Sequence, residues 1–364
     1  MGNGSTSGFL DSGLCGPEDI PELAERLRKG ELVGIPTETV YGLAADATDR
    51  EACLRVYAAK GRPPQNPLIV HCSDAAEALS FAAPDLADDI RRTAQRIFGE
   101  FAPGPISLVL PSATAIAEAA RAGQATVALR VPAHPLARAL IRETGRPLAA
   151  PSANASGQPS PTDATAVRAA FGPDLPVLDG GPCEIGIEST VVELRADHLV
   201  LHRPGFVSRS DLRDATGMAV LDPGSESGQS PGRLHPHYRP AGPCWVLSPS
   251  ELVKLAPAIG AANGGGSGFG QLRGLWIYGL EQDCIGAQDH VSSEVLRTEA
   301  DASAVARNLF RVLVEADQRP LVLVAPEDSR WGEALADRMG PAASGRGAIA
   351  LSRRLPSVGG DGDS

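Results

Sequence analysis

The strongest constraint on the fold is an alternation. From Pro17 to Gly217, short apolar runs rich in Val, Ile and Leu are separated by segments with helical spacing. ELVGI (31–35), NPLIVHC (66–72), ISLVLPS (106–112), TVALRVP (126–132), PLAA (147–150), PVLDG (176–180), STVVEL (189–194) and LVLHRPG (199–205) read as strands. A helix begins near Pro17 with Ile20, Leu23 and Leu27 on one face. Further helices are predicted over 49–61, 84–99, 115–123, 134–145, 161–171 and 208–217, with Gly61 and Gly145 as stops. Most strand runs are apolar at consecutive positions, so helices must cover the sheet on both faces. The pattern predicts an α/β (α+β) domain on one substantial sheet.

The pattern breaks at 218–243, where Pro, Gly and Ser dominate and periodicity is lost, and this stretch reads as a linker. Beyond it, CWVLSP, LRGLWIYGL and PLVLVAP read as strands between helical segments, a second, smaller α/β unit over 244–345. The Gly-rich run 263–270 follows a helix rather than a strand and so fails as a dinucleotide fingerprint. Residues 1–16 are expected to be a flexible leader and 346–364 a disordered tail. No apolar run approaches the ~18–20 residues of a membrane span. The six cysteines are scattered without a C-x-x-C pair, which disfavours a zinc or redox motif and suits a reducing cytoplasm. A formal net charge of −11 argues against coating nucleic acid by charge, but leaves room for a local basic pocket.

Four stretches concentrate polar groups at strand ends. IPTETVYGLAADA (35–47) places Thr37, Glu38 and Thr39 after a buried strand. AAKGRPPQNPLIVH (58–71) holds Lys60 and Arg62 two apart on a segment stiffened by Pro63, Pro64 and Pro67, with Asn66 nearby. Two cations on a rigid loop form a polyphosphate grip or a solvated basic loop. TVALRVPAHP (126–135) puts Arg130 inside an apolar strand, where it needs either a structural carboxylate or a ligand's anion. APSANASGQPSPT (150–162) gathers Ser152, Asn154, Ser156 and Ser160 just after a strand, where open α/β sheets collect ligands. It lacks a G-x-S-x-G elbow, and the chain has no Walker A loop.

In this order, PTETVYGLAADA, KGRPPQNPLIVH, FAPGPISLVL, VALRVP, APSANASGQPSPT, ESTVVEL and HRPG resemble the YrdC-like family. SPGRLHPHYRP followed by a second α/β unit resembles its long two-domain form, over about 17–345. The resemblance implies a twisted open sheet with flanking helices over 17–217, then a smaller Rossmann-like domain. It implies that L-threonine, bicarbonate and ATP, with Mg²⁺, are joined into threonylcarbamoyl-AMP with release of pyrophosphate. The adenylate then serves a downstream tRNA threonylcarbamoyl-transfer machinery in the cytoplasm, without membrane attachment or a stable nucleic-acid complex. By the same resemblance Lys60, Arg62, Ser152 and Asn154 are catalytic. Arg62, Asn66, Thr126, Ser152, Ser160, Arg203, His237 and Tyr238 contact ATP, while Thr39, His71, Arg130, Ala150 and Ser189 contact threonine. No protein side chain is assigned to the metal. A carbamoyl-adenylating module of a carbamoyltransferase and a non-catalytic RNA-binding protein are the rival readings.

Overall fold

The computed structural model describes residues 14–224, 238, 240, 242–263, 274–326, 330–344, 346–352 and 355. The first unit is built on eleven strands: β1 (Leu14–Cys15), β2 (Val33–Ile35), β3 (Gly42–Asp46), β4 (Ile69–His71), β5 (Ile106–Pro111), β6 (Thr126–Arg130), β7 (Leu148–Ala149), β8 (Val177–Leu178), β9 (Thr190–Leu194), β10 (His198–Arg203) and β11 (Ala219–Leu221). They lie in the order β1-β8-β2-β3-β7-β4-β6-β5-β9-β10-β11. The helices are α1 (Ile20–Arg28), α2 (Arg50–Lys60), α3 (Ala75–Ser80), α4 (Asp88–Phe101), α5 (Pro135–Thr144), α6 (Ala164–Phe171) and α7 (Arg209–Thr216). Local chemistry accounts for their ends. Asp49 caps α2 by accepting from the backbone N–H groups of Glu51 and Ala52. Gly61 and Gly145 end α2 and α5 in the left-handed conformation.

The second unit is a four-stranded parallel sheet of β12 (Cys244–Leu247), β13 (Trp276–Leu280), β14 (Leu296–Glu299) and β15 (Leu321–Val324), ordered β12-β15-β13-β14. Its helices are α8 (Pro249–Asn263), α9 (Glu281–Cys284), α10 (Ala302–Ala316), α11 (Gly332–Ala342) and α12 (Ala348–Ser352). Apolar clusters line both faces of this sheet, as a parallel sheet requires.

Several expectations need correction. Leu14–Cys15, placed in the leader, pairs with β8, and Ala219–Leu221, placed in the linker, pairs with β10. Leu14–Cys15 sits in a Gly- and Ser-rich stretch and Ala219–Leu221 runs straight into one, so neither stands out as an apolar run. The tail begins with a helix, α12, whose Leu351 is fully buried in the second unit's core. Residues 115–123 form turns, not a helix. Ala122 and Gly123 take positive φ, while the carbonyls of Ala119 and Ala120 accept from Tyr57 and from the backbone of Leu68. The Gly-rich run 264–270 lies outside the described residues.

The units meet along residues 184–188. Arg307 of α10 donates to the carbonyl of Glu184 at 3.1 Å. Val40 and Ile187 of the first unit are buried in the apolar cluster that contains α10 and α11. Phe206 stacks edge-on with Trp331 at 5.0 Å. Gly186, at φ +83°, sits so close to α10 that an added Cβ would lie 2.3 Å from the Cα of Arg307. Gly186→Ala should therefore push the units apart and lower the unfolding free energy by about 1–3 kcal/mol. A denaturant titration giving the wild-type midpoint would refute this close contact.

Candidate functional site

The site forms along β4: the end of α2 and the loop entering β4 meet the turn that leaves β7, because β4 and β7 run antiparallel. In register, β4 lies between β6 and β7, with His71 opposite Arg130 and Val70 opposite Ala149. The antiparallel β4–β7 pairing sets the basic loop before β4 against the Ser/Asn-rich turn after β7, and the parallel β4–β6 pairing places Arg130 beside His71 at the other end of the short β4. The amine of Lys60, 3% exposed, donates to the backbone carbonyls of Ser152 and Asn154. The turn answers in kind, since the N–H of Ser156 donates to the carbonyl of Lys60 at 2.8 Å. Arg62 is held by its own Pro-rich loop, donating to the carbonyls of Asn66 (3.1 Å) and Pro67 (3.0 Å).

A cavity of about 60 Å³ opens between these turns. Lys60, Arg62, His71, Arg130, Ala150, Ser152, Asn154, Ser160, Arg203 and Tyr238 all border it. Ten of the expected site residues thus converge. Four others sit elsewhere among the described residues. Thr39 is buried behind Arg130, accepting from its guanidinium at 2.8 Å. Ser189 is buried behind Arg203, accepting at 3.0 Å and pairing with Ser107 at 2.8 Å. Asn66 is buried beside the rim. Thr126 borders a neighbouring cavity of about 530 Å³ that shares Pro67 with the first. His237 lies outside the described residues.

Of the two partners open to Arg130, the structure shows the protein carboxylate, while the residue also borders the cavity. Its guanidinium donates to Glu38 at 2.7 Å, both side chains being almost fully buried. The other Glu38 oxygen accepts from the backbone of Ala133 at 3.0 Å. Arg130 Nε has no hydrogen-bond partner among the described residues, nor do the side-chain oxygens of Asn66 and Asn154. Buried orphans of this kind are rare in a finished core and common where a ligand completes the bonding.

Sequence reasoning missed two acids and one cation. Glu38 was seen only as part of a strand-end turn. Glu188 stands inside ESTVVEL and borders the cavity, where it accepts from Ser160 at 2.6 Å and from the Tyr238 hydroxyl at 3.0 Å. Arg338 of α11 donates to its other oxygen at 3.1 Å. An arginine on a helix ordinarily reads as solvated, and no local signal marked this one.

Burial tunes these groups. Burial, with the neighbouring Arg62 charge, lowers the Lys60 pKa to about 7. Burial and then Arg130 lower His71 to about 3, so its imidazole is neutral at physiological pH. Burial alone would raise Glu188, but Arg338 and then Arg203 overcome it and hold the carboxyl below its ordinary range.

Fold and site together define a two-unit α/β protein with a cation- and amide-lined pocket, suited to a phosphorylated anion, near the seam between its units. Residues 25–205 match the family model of Sua5, YciO and YrdC, described as "Telomere recombination", and residues 207–344 match that of the threonylcarbamoyl-AMP synthase C-terminal domain. The threonylcarbamoyl-AMP synthase of Bacillus subtilis is 38% identical over 338 residues, covering 90% of this chain and 93% of the relative. That of Pyrococcus abyssi is 36% identical over 310 residues, covering 83% and 86%. A solved structure of P. abyssi Sua5 complexed with L-threonine superposes with a TM-score of 0.78 at 30% identity, covering 92% of this chain and 98% of that one. The chain belongs to the threonylcarbamoyl-AMP synthase family, in its two-domain form. The match of the second unit to the synthase C-terminal domain separates it from the carbamoyltransferase reading.

Lys60 offers a pH test. Folded, it loses its proton near pH 7; the unfolded lysine does so near 10.5. Across that window the unfolded chain binds more protons, so this group's contribution to stability becomes more favourable as pH rises. The stability of wild type minus that of Lys60→Met should be flat below about pH 6 and rise between 7 and 10.5. Paired melts over that range check this; a difference that stays flat or falls would refute the buried charge.

Proposed function

We propose that this chain condenses L-threonine, bicarbonate and ATP into threonylcarbamoyl-AMP, pyrophosphate and water. The carrying observation is the meeting of Lys60, Arg62 and Arg203 with the Ser152–Ser160 turn in one cavity, beside His71 and Arg130. The threonine nitrogen attacks the bicarbonate carbon, a C–O bond breaks, and water leaves as the carbamate forms. A carbamate oxygen then attacks the α-phosphorus, and the bond to the bridging oxygen breaks as pyrophosphate leaves. A carbamate is a weak nucleophile, so positioning and charge stabilisation supply most of the rate.

In this reading Lys60 fixes the turn that carries Ser152 and Asn154 and adds positive potential from below it. Arg62 and Arg203 face the phosphates and the charge that builds on the leaving pyrophosphate. The free oxygens of Asn66 and Asn154 and the hydroxyl of Ser152 accept or orient hydrogen bonds from the ligand. Arg130 meets the threonine carboxylate with what its pairing to Glu38 leaves available, and neutral His71 and Ala150 shape the same wall. Thr39 and Ser189 act through Arg130 and Arg203. The first cavity is far smaller than the roughly 300–1,000 Å³ of a small-molecule site. The nucleoside therefore extends past Pro67 into the neighbouring cavity bordered by Thr126.

No group of three or more His, Cys, Asp or Glu that could hold a metal occurs among the described residues. In our reading Mg²⁺ enters as an ion carried on the nucleotide's phosphates, with water completing its shell and no protein ligand assigned. No helix among the described residues is long and apolar enough to cross a membrane. We place the reaction in the cytoplasm, where the six free thiols would stay reduced and the adenylate passes to the enzymes that modify tRNA.

Pyrophosphate should appear only when threonine, bicarbonate and Mg²⁺·ATP are all present, alongside a product with the mass of threonylcarbamoyl-AMP. Release that ignores threonine would sink the assignment. Arg62→Ala removes a charged contact worth about 1.5–3 kcal/mol, so kcat/KM for ATP should fall about 10- to 150-fold.

A further inference from the structure

Glu188 poses a problem for the proposed reaction, on which this inference rests. It is a buried carboxylate bordering a cavity that has to hold a polyanion. One oxygen is shared between Ser160 (2.6 Å) and the Tyr238 hydroxyl (3.0 Å), so the acid ties the Ser/Asn-rich turn to Tyr238. The other oxygen is taken by Arg338, which comes from α11 of the second unit.

Arg338 is fully buried and held at several points. It donates to the carbonyls of Pro204 (2.5 Å) and Glu188 (3.3 Å) in the first unit. Within its own unit it reaches the carbonyl of Ala334 (3.3 Å) and the carboxylate of Asp337 (3.0 Å). Arg203, a further cation acting on Glu188, instead donates to the carbonyl and hydroxyl of Ser189, each at 3.0 Å.

We infer that Arg338 is a positioning residue of the nucleotide site: it neutralises Glu188 from the second unit, so that this carboxylate orients Ser160 and Tyr238 without repelling phosphates and without capturing Arg203. Remove Arg338 and two things follow. The cavity gains an uncompensated negative charge. Arg203, which already acts on Glu188, is drawn toward that charge and off Ser189, away from the ligand. Both effects fall on ATP. Threonine, on the Arg130 side, is spared.

The test uses the full chain, with ATP binding by calorimetry in the absence of threonine and steady-state pyrophosphate release in its presence. Arg338→Met should weaken ATP binding and raise its KM by about tenfold or more, with the KM for threonine within about twofold of wild type. Adding Glu188→Gln to Arg338→Met removes the stranded charge while leaving an oxygen for Ser160 and Tyr238. The double variant should return ATP affinity to within about threefold of wild type, a non-additivity that simple loss of packing does not produce. Arg338→Lys, which keeps the charge, should lie within about fivefold. If Arg338→Met does not fold, Arg338→Gln takes its place and must show the same ATP-selective loss.

ATP affinity unchanged in the charge-removing variant, or a double variant no better than the single one, overturns the inference. A wild-type chain that binds ATP but releases no threonine-dependent pyrophosphate overturns the proposed reaction instead, while the binding arm still decides the role of Arg338. A wild-type chain that does not bind ATP overturns both.

Discussion

The pocket exists because one buried amine is satisfied by two carbonyls that lie more than ninety residues further along the chain. A lysine almost fully withdrawn from water is costly unless its protons find acceptors. Here the acceptors are the backbone of Ser152 and Asn154, and the Ser156 N–H closes the bond back to Lys60. The end of α2 is thereby fixed against the turn after β7. Gly61 in the left-handed conformation then redirects the chain at once into the Pro-rich loop, where Arg62 braces the segment by donating to its carbonyls. The depressed Lys60 pKa is the signature of this arrangement: burial disfavours the ammonium first, and the neighbouring Arg62 charge disfavours it further.

Charge around the cavity is arranged in matched pairs with a cationic surplus. Glu38 is committed to Arg130 and Glu188 to Arg338, which leaves Lys60, Arg62 and Arg203 without a paired carboxylate among the ion pairs of the described residues. The chain as a whole carries −11. Local potential and net charge therefore point in opposite directions, and it is the local sign that a polyphosphate meets. The acidic remainder of the surface disfavours long nucleic-acid contacts.

Much of this was legible in the sequence, for a definite reason. Strands such as Ile106–Pro111 and Thr126–Arg130 are long enough for their apolar character to outweigh local noise, and Gly61 and Gly145 mark helix ends by a conformational requirement. Leu14–Cys15 and Ala219–Leu221 are hidden among Gly- and Ser-rich neighbours, and the 115–123 stretch has helical spacing but takes positive φ at Ala122 and Gly123 and gives the Ala119 and Ala120 carbonyls to Tyr57 and Leu68. At the site, Lys60, Arg62, Ser152 and Asn154 were visible as dense polar groups at strand and helix ends. Thr39 and Ser189 were visible too, but as threonine contacts; in the structure they hold arginines behind the cavity. The Glu188–Arg338 pair spans 150 residues and two units, so no spacing rule could reveal it.

That pair also explains why the second unit belongs to the site and not merely to the chain. Residues 184–189 serve two masters within a few ångströms. Their beginning is docked on α10 through the Glu184 carbonyl, Gly186 and Ile187. Their end delivers Glu188 to the cavity and Ser189 to Arg203. A segment this short and this buried cannot shift at one end without shifting at the other, because close-packed surroundings transmit displacement rather than absorb it. The first unit alone would expose Val40 and Ile187 and leave Glu188 without its principal counter-charge. Docking of the units and preparation of the anion pocket are therefore one physical event, set by the same six residues.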